Sequence, residues 1–382
     1  ALAPHAQSKQ ARREGVWRER GVRRPAAWRD RWRAFLERHR KHGPLLAFVL
    51  GFVYDSVTLT RIDRWVDNLI LLGYLLASGI LIALIGRAER GRLRSPRLLR
   101  RLDLMTWGVH FFLGGLLSSY VVFYFKSAAV GRSLIFVGLL VGLLLANEFF
   151  AHRLRDLKLL LPLYYFCGSA FLTFFLPIVV RRMSAALFVA SGMLSLILTG
   201  ILGLAIFGCR REAVRVFLVP MAVFGGLLLG YFGDVIPPVP LALKDGGIYR
   251  NVRRVGARYE VVYREPPRWF FWRRDEREFA YTSGDAVYCF AAIFAPTAFT
   301  EQVWHYWQRR DENGRWITTD RLAYTVIGGR EGGYRGYTVK RKIAPGRWRV
   351  EVRTAEGRLL GRIPFVVVPT SHRPKRLRTE YR

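Results

Sequence analysis

The stretch LLLPLYYFCGSAFLTFFLPIVV, residues 159–180, decides the class of fold. It contains no charged residue, and it is as long as the helix of about 20 residues that crosses the hydrocarbon core of a bilayer. The stretch therefore predicts a transmembrane helix. Two prolines lie within it, which neighbouring helices in a membrane tolerate.

Similar apolar stretches occur on both sides of it. Six further spans are predicted, at residues 44–59, 65–85, 104–125, 133–150, 184–207 and 214–232. The first is short and contains Asp55, so six spans instead of seven is the alternative count. The pairs Gly138/Gly142 and Gly226/Gly230 have the small-xxx-small spacing that lets helix backbones approach closely.

Composition and charge give the orientation of these spans. The 382 residues include 61 Lys+Arg and 28 Asp+Glu, yet 51% are hydrophobic, which excludes wholesale disorder. Counted over alternate connections, 26 basic residues fall on the side of the N-terminus and six on the other side. By the positive-inside rule, the N-terminus is expected in the cytoplasm and everything after about residue 232 outside. No signal peptide is expected, because residues 1–43 lack an apolar core segment.

The basic arm of residues 1–43 carries aromatic residues at helical spacing. Trp28 and Trp32 lie among arginines, which predicts an amphipathic helix at the membrane surface. Anionic lipids on the cytoplasmic side are the expected partners. Nucleic-acid binding by the basic arm is the alternative, and it is not favoured.

Three ionisable residues fall within the predicted spans. Asp55, His110 and Glu148 are functional candidates because burying a charge in a bilayer is costly. Structural pairing is the other interpretation, since Asp55 precedes arginines at the outer interface. A pump would show more acidic residues near the midplane, so transport is not favoured. Convergence of the three groups on one cavity would favour an embedded enzyme or transporter.

After residue 232 the sequence pattern changes. Residues 233–247 are rich in proline and glycine and are interpreted as a linker. Residues 248–369 contain stretches with a period of two, most clearly at 347–353, where apolar and charged residues alternate. They predict an all-β, immunoglobulin-like sandwich. Residues 370–382 are interpreted as a basic tail.

The motifs of this domain resemble a known family. They are DAVYCF at 285–290, WHYW at 304–307, GGREGGYRGY at 328–337 and PGRWRV at 345–350. Over about residues 247–369 the chain resembles bacterial membrane proteins that carry the domain of unknown function 2914 at their C-terminus. The resemblance implies an architecture, a multi-span membrane region followed by a small β domain, and no established activity. With the orientation given above, we expect the spans in the bacterial inner membrane and the β domain in the periplasm.

Two features of the β domain suggest a ligand site. Alternation along a strand places His305 and Trp307 on one face and Trp304 and Tyr306 on the other, and one of the two pairs is expected in the core. The glycine-rich loop 328–336 either recognises an anionic envelope component through its arginines or is a plain turn. The candidate ligand-binding residues are His305, Trp307, Arg330, Tyr334, Arg335 and Trp348.

A run of aromatic residues bracketed by arginine follows two prolines at 266–274. Trp269 and Trp272 suit a membrane–water interface, and a buried edge segment is the alternative.

Three functional hypotheses follow from these patterns. The favoured one is a non-enzymatic binding or assembly module for an envelope glycan, a lipid or a membrane protein. The second is an embedded enzyme or transporter that uses the three ionisable residues, and the third is a structural subunit of a larger complex. No cofactor or metal is expected, because the sequence lacks a His-Glu-x-x-His motif and clustered His/Cys residues.

Overall fold

A computed structural model describes residue 53 and residues 64–128, 133–149, 156–208, 210–267, 269, 273–296, 299–330, 332–371, 374 and 376–382. Apart from residue 53, the predicted span 44–59 lies outside these residues, and so do Asp55, Trp28, Trp32 and Trp272.

The first half of the described chain is helical. Its helices are α1 (Trp65–Glu89), α2 (Pro96–Leu99), α3 (Leu102–Ser127), α4 (Ser133–Phe149), α5 (Leu157–Val180), α6 (Ala185–Phe207) and α7 (Arg210–Phe232). By length and composition, α1, α3, α5, α6 and residues 214–232 of α7 are long and apolar enough to cross a membrane, and α4 is a shorter apolar helix. Each predicted span from residue 65 onward corresponds to one of these helices.

Helix α5, which contains most of the opening stretch, lies at the centre of the helices and is the most thoroughly buried of them. Hydroxyl groups of its neighbours donate to its backbone carbonyls, Tyr120 of α3 to Cys167 at 2.9 Å and Ser195 of α6 to Tyr165 at 2.9 Å. Such bonds hold helices together where apolar packing alone gives little preference for a partner.

The predicted glycine pairs do not mark close helix contacts. A methyl group built on Gly138, Gly142 or Gly226 would meet no atom within 4 Å. Several other glycines are tight, among them Gly79 and Gly192, where the same methyl group would lie 2.7 Å and 2.3 Å from a neighbouring aromatic side chain. Spacing within one helix does not specify which face meets a partner, so the prediction was wrong for these three glycines.

The second half of the chain forms β-sheets. Its strands are β1 (Ala242–Tyr249), β2 (Asn251–Val255), β3 (Arg258–Arg264), β4 (Glu278–Tyr281), β5 (Val287–Phe294), β6 (Thr300–Arg310), β7 (Trp316–Ile327), β8 (Tyr334–Lys340), β9 (Gly346–Thr354), β10 (Leu359–Pro369) and β11 (Leu377–Tyr381). A five-stranded sheet has the order β4-β10-β9-β6-β7, and two three-stranded sheets have the orders β1-β5-β8 and β11-β3-β2.

The β-rich part has three layers because β5 is buried on both faces. Its residues Cys289, Ala291 and Ile293 contribute to the core shared with the five-stranded sheet. Phe290 and Ala292 contribute to a second core, shared with the sheet of β2, β3 and β11. Alternating side chains of one strand thus serve two cores.

Both predicted flanking segments contain strands. β1 begins at Ala242, inside the predicted linker, and β11 lies in the predicted basic tail, where it pairs with β3. Their sequences, ALKDGGIY and LRTEY, show no regular apolar alternation. The strands are held by backbone pairing at sheet edges, and this leaves little trace in a hydropathy pattern.

The turn between β9 and β10 joins the sheets to the helices. Arg358 in this turn is 7% exposed, and its guanidinium donates to the carbonyl oxygens of Tyr231 and, at 3.0 Å, Ile236. It also pairs with Asp234 at 3.2 Å and lies 3.9 Å from the centre of the Tyr231 ring.

Other contacts occur at the same end of the helices. A carboxylate oxygen of Glu356 accepts a hydrogen bond of 2.8 Å from the backbone N–H of Ala185, the first residue of α6. Helix α3 contacts β1. The β domain thus contacts the start of α6 and the ends of α3 and α7. The arginine-rich segment 87–103 precedes α3, so it lies at the opposite end of the helices.

Candidate functional site

His305 lies in a closed polar network inside the main β core. It is fully buried, its Nδ1 is 2.9 Å from the Thr338 hydroxyl, and its Nε2 is 3.2 Å from the Tyr324 hydroxyl. Trp307 donates its indole N–H to the same Thr338 oxygen at 3.1 Å. Burial lowers the pKa of His305 to about 3, so the ring is neutral at physiological pH.

This network corrects the predicted ligand site. His305, Trp307 and Trp348 are at most 2% exposed and belong to the core, so they are not placed to touch a ligand at the surface. The alternation prediction was right: the pair in the core is His305 and Trp307, whereas Trp304 and Tyr306 face outward and are partly exposed.

The buried His305 should make the protein less stable in mild acid. Its folded pKa lies below the unfolded value near 6.5, so below that pH the unfolded chain binds a proton that the folded protein does not. Stability should fall from pH 6.5 towards pH 3, by about 2 kcal/mol between pH 7 and pH 5. His305→Gln should lack this part of the pH dependence in unfolding of the detergent-solubilised full chain. Equal slopes for the two proteins would contradict the assignment.

The glycine-rich loop is a crossover between two sheets. It leads from β7 in the five-stranded sheet to β8 in a three-stranded one. A Cβ atom on Gly328 would lie 1.7 Å from the carbonyl oxygen of Pro296, so only glycine fits there. The guanidinium of Arg330 lies 5.5 Å from the centre of the Tyr334 ring, and Arg335 donates to the Ala257 carbonyl at 3.3 Å. The loop brings Arg330 and Tyr334 together, and Gly328 lets the chain pass close to Pro296 where it crosses from one sheet to the other.

The outer side of the five-stranded sheet carries a cluster that the sequence did not reveal. We call it the arginine face, and its members are Trp304, Tyr306, Trp316, Arg321, Arg349, Glu351, Arg353 and Arg362. The strand register brings them together. Tyr306 pairs with Arg321 on one side and Glu351 on the other, and Glu351 pairs with Arg362.

Glu351 is the centre of this face. Its side chain is 1% exposed, and its oxygens lie 2.6 Å from Arg353, 2.8 Å from Arg362 and 3.1 Å from Arg349. Burial alone would raise the pKa of Glu351, but the hydrogen bonds and charges of these arginines outweigh it and lower the pKa. The carboxylate therefore remains charged.

The arginines are also stacked on aromatic rings. The guanidinium carbon of Arg349 lies 4.3 Å from the centre of the Trp316 ring, and those of Arg321 and Arg353 lie 5.1 Å and 5.7 Å from the centre of Tyr306. Burial lowers the pKa of Arg349, the charge of Glu351 opposes this, and Arg362 and Arg353 add to the lowering. Four arginines and one glutamate leave an excess of three positive charges in a preorganised array.

The predicted interfacial and intramembrane residues lie elsewhere. Trp269 is 85% exposed, so its side chain is not part of a buried edge. His110 Nδ1 lies 3.4 Å from Asn147 Oδ1, and the Asn147 amide donates to the His110 carbonyl at 3.0 Å. Glu148 follows Asn147 but is exposed, so His110 and Glu148 do not form one site. Among the residues described, no group of three or more His, Cys, Asp or Glu side chains could hold a metal ion.

Comparisons with known proteins assign part of the β-rich region. Residues 300–367 match the family described as "Protein of unknown function (DUF2914)", which confirms the predicted resemblance for those residues. This segment runs from β6 into β10 and contains every member of the arginine face. No curated protein matches the chain.

Two solved structures were similar at low scores. An immunoglobulin-like protein from Pseudomonas aeruginosa has 13% identity and a TM-score of 0.21, covering 34% of this chain and 98% of that one. The Pseudomonas fluorescens alkylpurine DNA glycosylase AlkC, bound to DNA with an abasic site analog, has 12% identity and a TM-score of 0.18, covering 79% and 99%. With TM-scores this low, neither similarity supports a conclusion about the fold or function of this chain.

Proposed function

We propose that this chain is an integral membrane protein that presents its β domain outside the cytoplasmic membrane and binds an anionic envelope component through the arginine face. The single observation behind this is the array in which three arginines surround the buried carboxylate of Glu351 and a fourth, Arg321, lies over the adjacent Tyr306 ring. The role is one of binding or assembly, without catalysis.

The placement of the β domain supports an external side. The domain contacts the helix ends at Ala185 and at residues 231–236. The arginine-rich segment 87–103 is at the other end of the helices, where the positive-inside rule expects the cytoplasm. On this basis the arginine face is outside.

The chemistry of the face favours an anion over a neutral ligand. Guanidinium groups bind phosphate and carboxylate through two parallel hydrogen bonds, and such charge-assisted bonds are stronger than neutral ones. Arg362 and Arg353 are respectively 43% and 25% exposed at their side chains, so both still have hydrogen-bonding surface for a ligand. Stacking on Tyr306 and Trp316 restricts the arginines before a ligand binds, which reduces the entropy cost of binding.

An embedded enzyme has less support. His110 is hydrogen-bonded to Asn147 while Glu148 is exposed, and His305 is enclosed and neutral. A general base has to reach a proton of the substrate. His110 and His305 are instead held by hydrogen bonds to neighbouring side chains of the protein.

Binding of inorganic polyphosphate to the purified full-length protein in detergent tests the proposal. We expect the double variant Arg321→Ala/Arg362→Ala to bind at least tenfold more weakly, because hydrogen bonds to charged groups contribute about 1.5–3 kcal/mol each. Arg349 and Arg353 remain to pair with Glu351 in this variant, so the fold should persist.

The matched control removes the same charge elsewhere. Arg254→Ala/Arg258→Ala changes two exposed arginines of the β2–β3 hairpin. It should bind polyphosphate nearly as well as the unchanged protein at moderate salt. If both double variants lose affinity equally, the binding depends on overall charge and the proposed site is wrong.

A further inference from the structure

The sheets contact the helices at one end of their strands. The contacts described above come from the start of β1 and from the turn between β9 and β10. Met183, between α5 and α6, packs against the main β core. The turn between β9 and β10 is therefore the end of the five-stranded sheet that touches the helices, and tracing β9 back from this turn leads away from that contact.

One end of the arginine face therefore lies next to the ends of the helices. Arg353 donates to the carbonyl oxygen of Gly357 at 2.6 Å, and Gly357 precedes Arg358, which bonds to the end of α7 and to Ile236. Trp304 pairs with Arg353 across the sheet. These two residues form the edge of the face nearest the helices.

The rest of the face lies farther from the helix ends. A strand rises about 3.3 Å per residue, so Arg349 lies about 13 Å beyond Arg353 along β9. The polar layer on each side of a bilayer is about 5–8 Å thick, from a core of about 30 Å within a total of about 40–45 Å. With the helices in a bilayer, as proposed, the Arg353 end of the face is the end nearest the lipid headgroups, and the Arg349 end is about 13 Å farther along β9.

From this position we infer that the ligand of the arginine face is the headgroup of a lipid anchored in the adjacent leaflet, a phosphorylated saccharide that rises from the bilayer along β9. This inference rests on the proposed function and specifies the source of the anion. Arg353 would meet the part of the headgroup nearest the membrane, and Arg349 and Arg362 the charged groups farther along it. A free polymer would gain nothing from a face whose lower edge lies at the membrane.

The favourable geometry has a thermodynamic consequence. A ligand anchored in the same bilayer is confined to a thin layer beside the protein, which raises its effective concentration at the face. The same saccharide in solution has to be captured from three dimensions. Anchoring should therefore strengthen binding without any new contact.

The experiment uses the full-length protein in phosphatidylcholine nanodiscs. One probe is lipopolysaccharide with a phosphorylated core and a fluorophore on its saccharide, incorporated in the nanodiscs. The other is the same labelled core saccharide released from its lipid. Fluorescence anisotropy reports immobilisation of each probe. We expect the lipid-borne probe to be immobilised at protein levels at least tenfold lower than the free saccharide requires.

Single variants locate the contact. Arg353→Gln should weaken immobilisation of the lipid-borne probe at least fivefold, and Arg258→Ala should leave it unchanged. Thermal unfolding of each variant, measured in parallel, separates lost contacts from lost fold. If Arg353→Gln is destabilised, Arg362→Ala, farther from the turn, gives the same test.

The outcomes separate the inference from the proposed function. Equal immobilisation of free and lipid-borne saccharide, with polyphosphate binding intact, would overturn the lipid source and leave the anion site standing. Failure of both saccharide probes while polyphosphate binds would likewise overturn the lipid source. Failure of polyphosphate as well would overturn the proposed function itself.

Discussion

Replacing Arg358 by alanine should lower the stability of the full-length protein by about 3–5 kcal/mol and loosen the β domain from the helices. Each buried carbonyl oxygen that loses its donor costs about 1–3 kcal/mol, and Asp234, which is 38% exposed, adds little because water can solvate it. The variant leaves the carbonyl oxygens of Tyr231 and Ile236 without the donors they have now, and Asp234 without its partner. It also removes the cation from the face of the Tyr231 ring, which itself stacks on Phe188 at 3.9 Å.

The loosening should be visible as local exposure. Limited proteolysis of the detergent-solubilised protein should cut within residues 233–241 much faster in Arg358→Ala than in the unchanged chain, because this segment loses its attachment. Thermal unfolding measures the accompanying loss of stability. Arg358→Lys keeps the charge but not the planar pair of N–H groups, so it should give an intermediate result.

A matched control is available on the neighbouring strand. Arg347, an exposed residue of β9, pairs across the sheet with Val366 and is far from the helix ends. Arg347→Ala should change stability by less than about 0.5 kcal/mol. An Arg358→Ala protein that matches this control in both proteolysis and melting would show that the turn does not hold the two parts together.

The helical part of the fold was predictable because its signal is local. An uncharged stretch of 20 residues has few alternatives to a spanning helix, and each predicted span from residue 65 onward coincides with a helix. The central position of α5 was not predictable in this way. It depends on which faces of α3 and α6 meet it, and the bonds from Tyr120 and Ser195 join residues 47 and 30 positions apart.

The β domain shows the same division. Alternation in β6 correctly predicted that His305 and Trp307 share a face, and one of the two faces was expected in the core. It could not tell which face was buried, because the opposite faces are WxY and HxW, and both are aromatic and polar. The choice was made by β5, whose apolar residues cover the His305 face. The sequence therefore suggested His305 as a ligand-binding residue. Its hydrogen bonds to Thr338 and Tyr324 give it a structural role instead.

The arginine face could not be predicted from the sequence, for a related reason. The segment RWRVEVR already placed Arg349, Glu351 and Arg353 on one side of a strand. It did not show that Tyr306 of β6 and Arg362 of β10 would lie beside Glu351, because cross-strand register is set by pairing over long distances. Without the register, the alternation at residues 347–353 showed only which side chains of this strand share a side.

Glu351→Gln should lower stability by about 3 kcal/mol at pH 7 and yet bind polyphosphate at least as tightly as the unchanged protein. The glutamine keeps the size of the side chain but removes the one negative charge from among Arg349, Arg353 and Arg362. Removing a buried carboxylate from its arginines is costly because their charges then repel one another. The same change raises the excess charge of the face from three to four, which favours an anionic ligand.

A saturating anion should then rescue the variant more than the unchanged protein. A ligand that binds only the folded state stabilises it by an amount that grows with the logarithm of ligand concentration divided by Kd. The tighter binding expected from the added positive charge should therefore let polyphosphate raise the melting temperature of Glu351→Gln by the larger amount. Arg254→Ala/Arg258→Ala in the Glu351→Gln background keeps the face and lowers the total charge, so the rescue should persist. A variant that is destabilised and also fails to bind would place Glu351 in the structure of the face only, and would remove the main support for an anion site.

The pH dependence of the stability difference between the unchanged protein and Glu351→Gln tests whether the charge of Glu351 is its cause. The arginines lower the folded pKa of Glu351 below its unfolded value of 4.5, so its contribution is fully present above pH 4.5 and is lost as the pH falls through the folded pKa. The stability difference between the unchanged protein and Glu351→Gln should therefore be constant from pH 7 to about 5 and shrink below 4.5. The acid sensitivity contributed by His305 is common to both proteins and cancels in this difference. A gap that stayed constant down to pH 3 would mean that glutamine disturbs packing and that the charge of Glu351 does not stabilise the face.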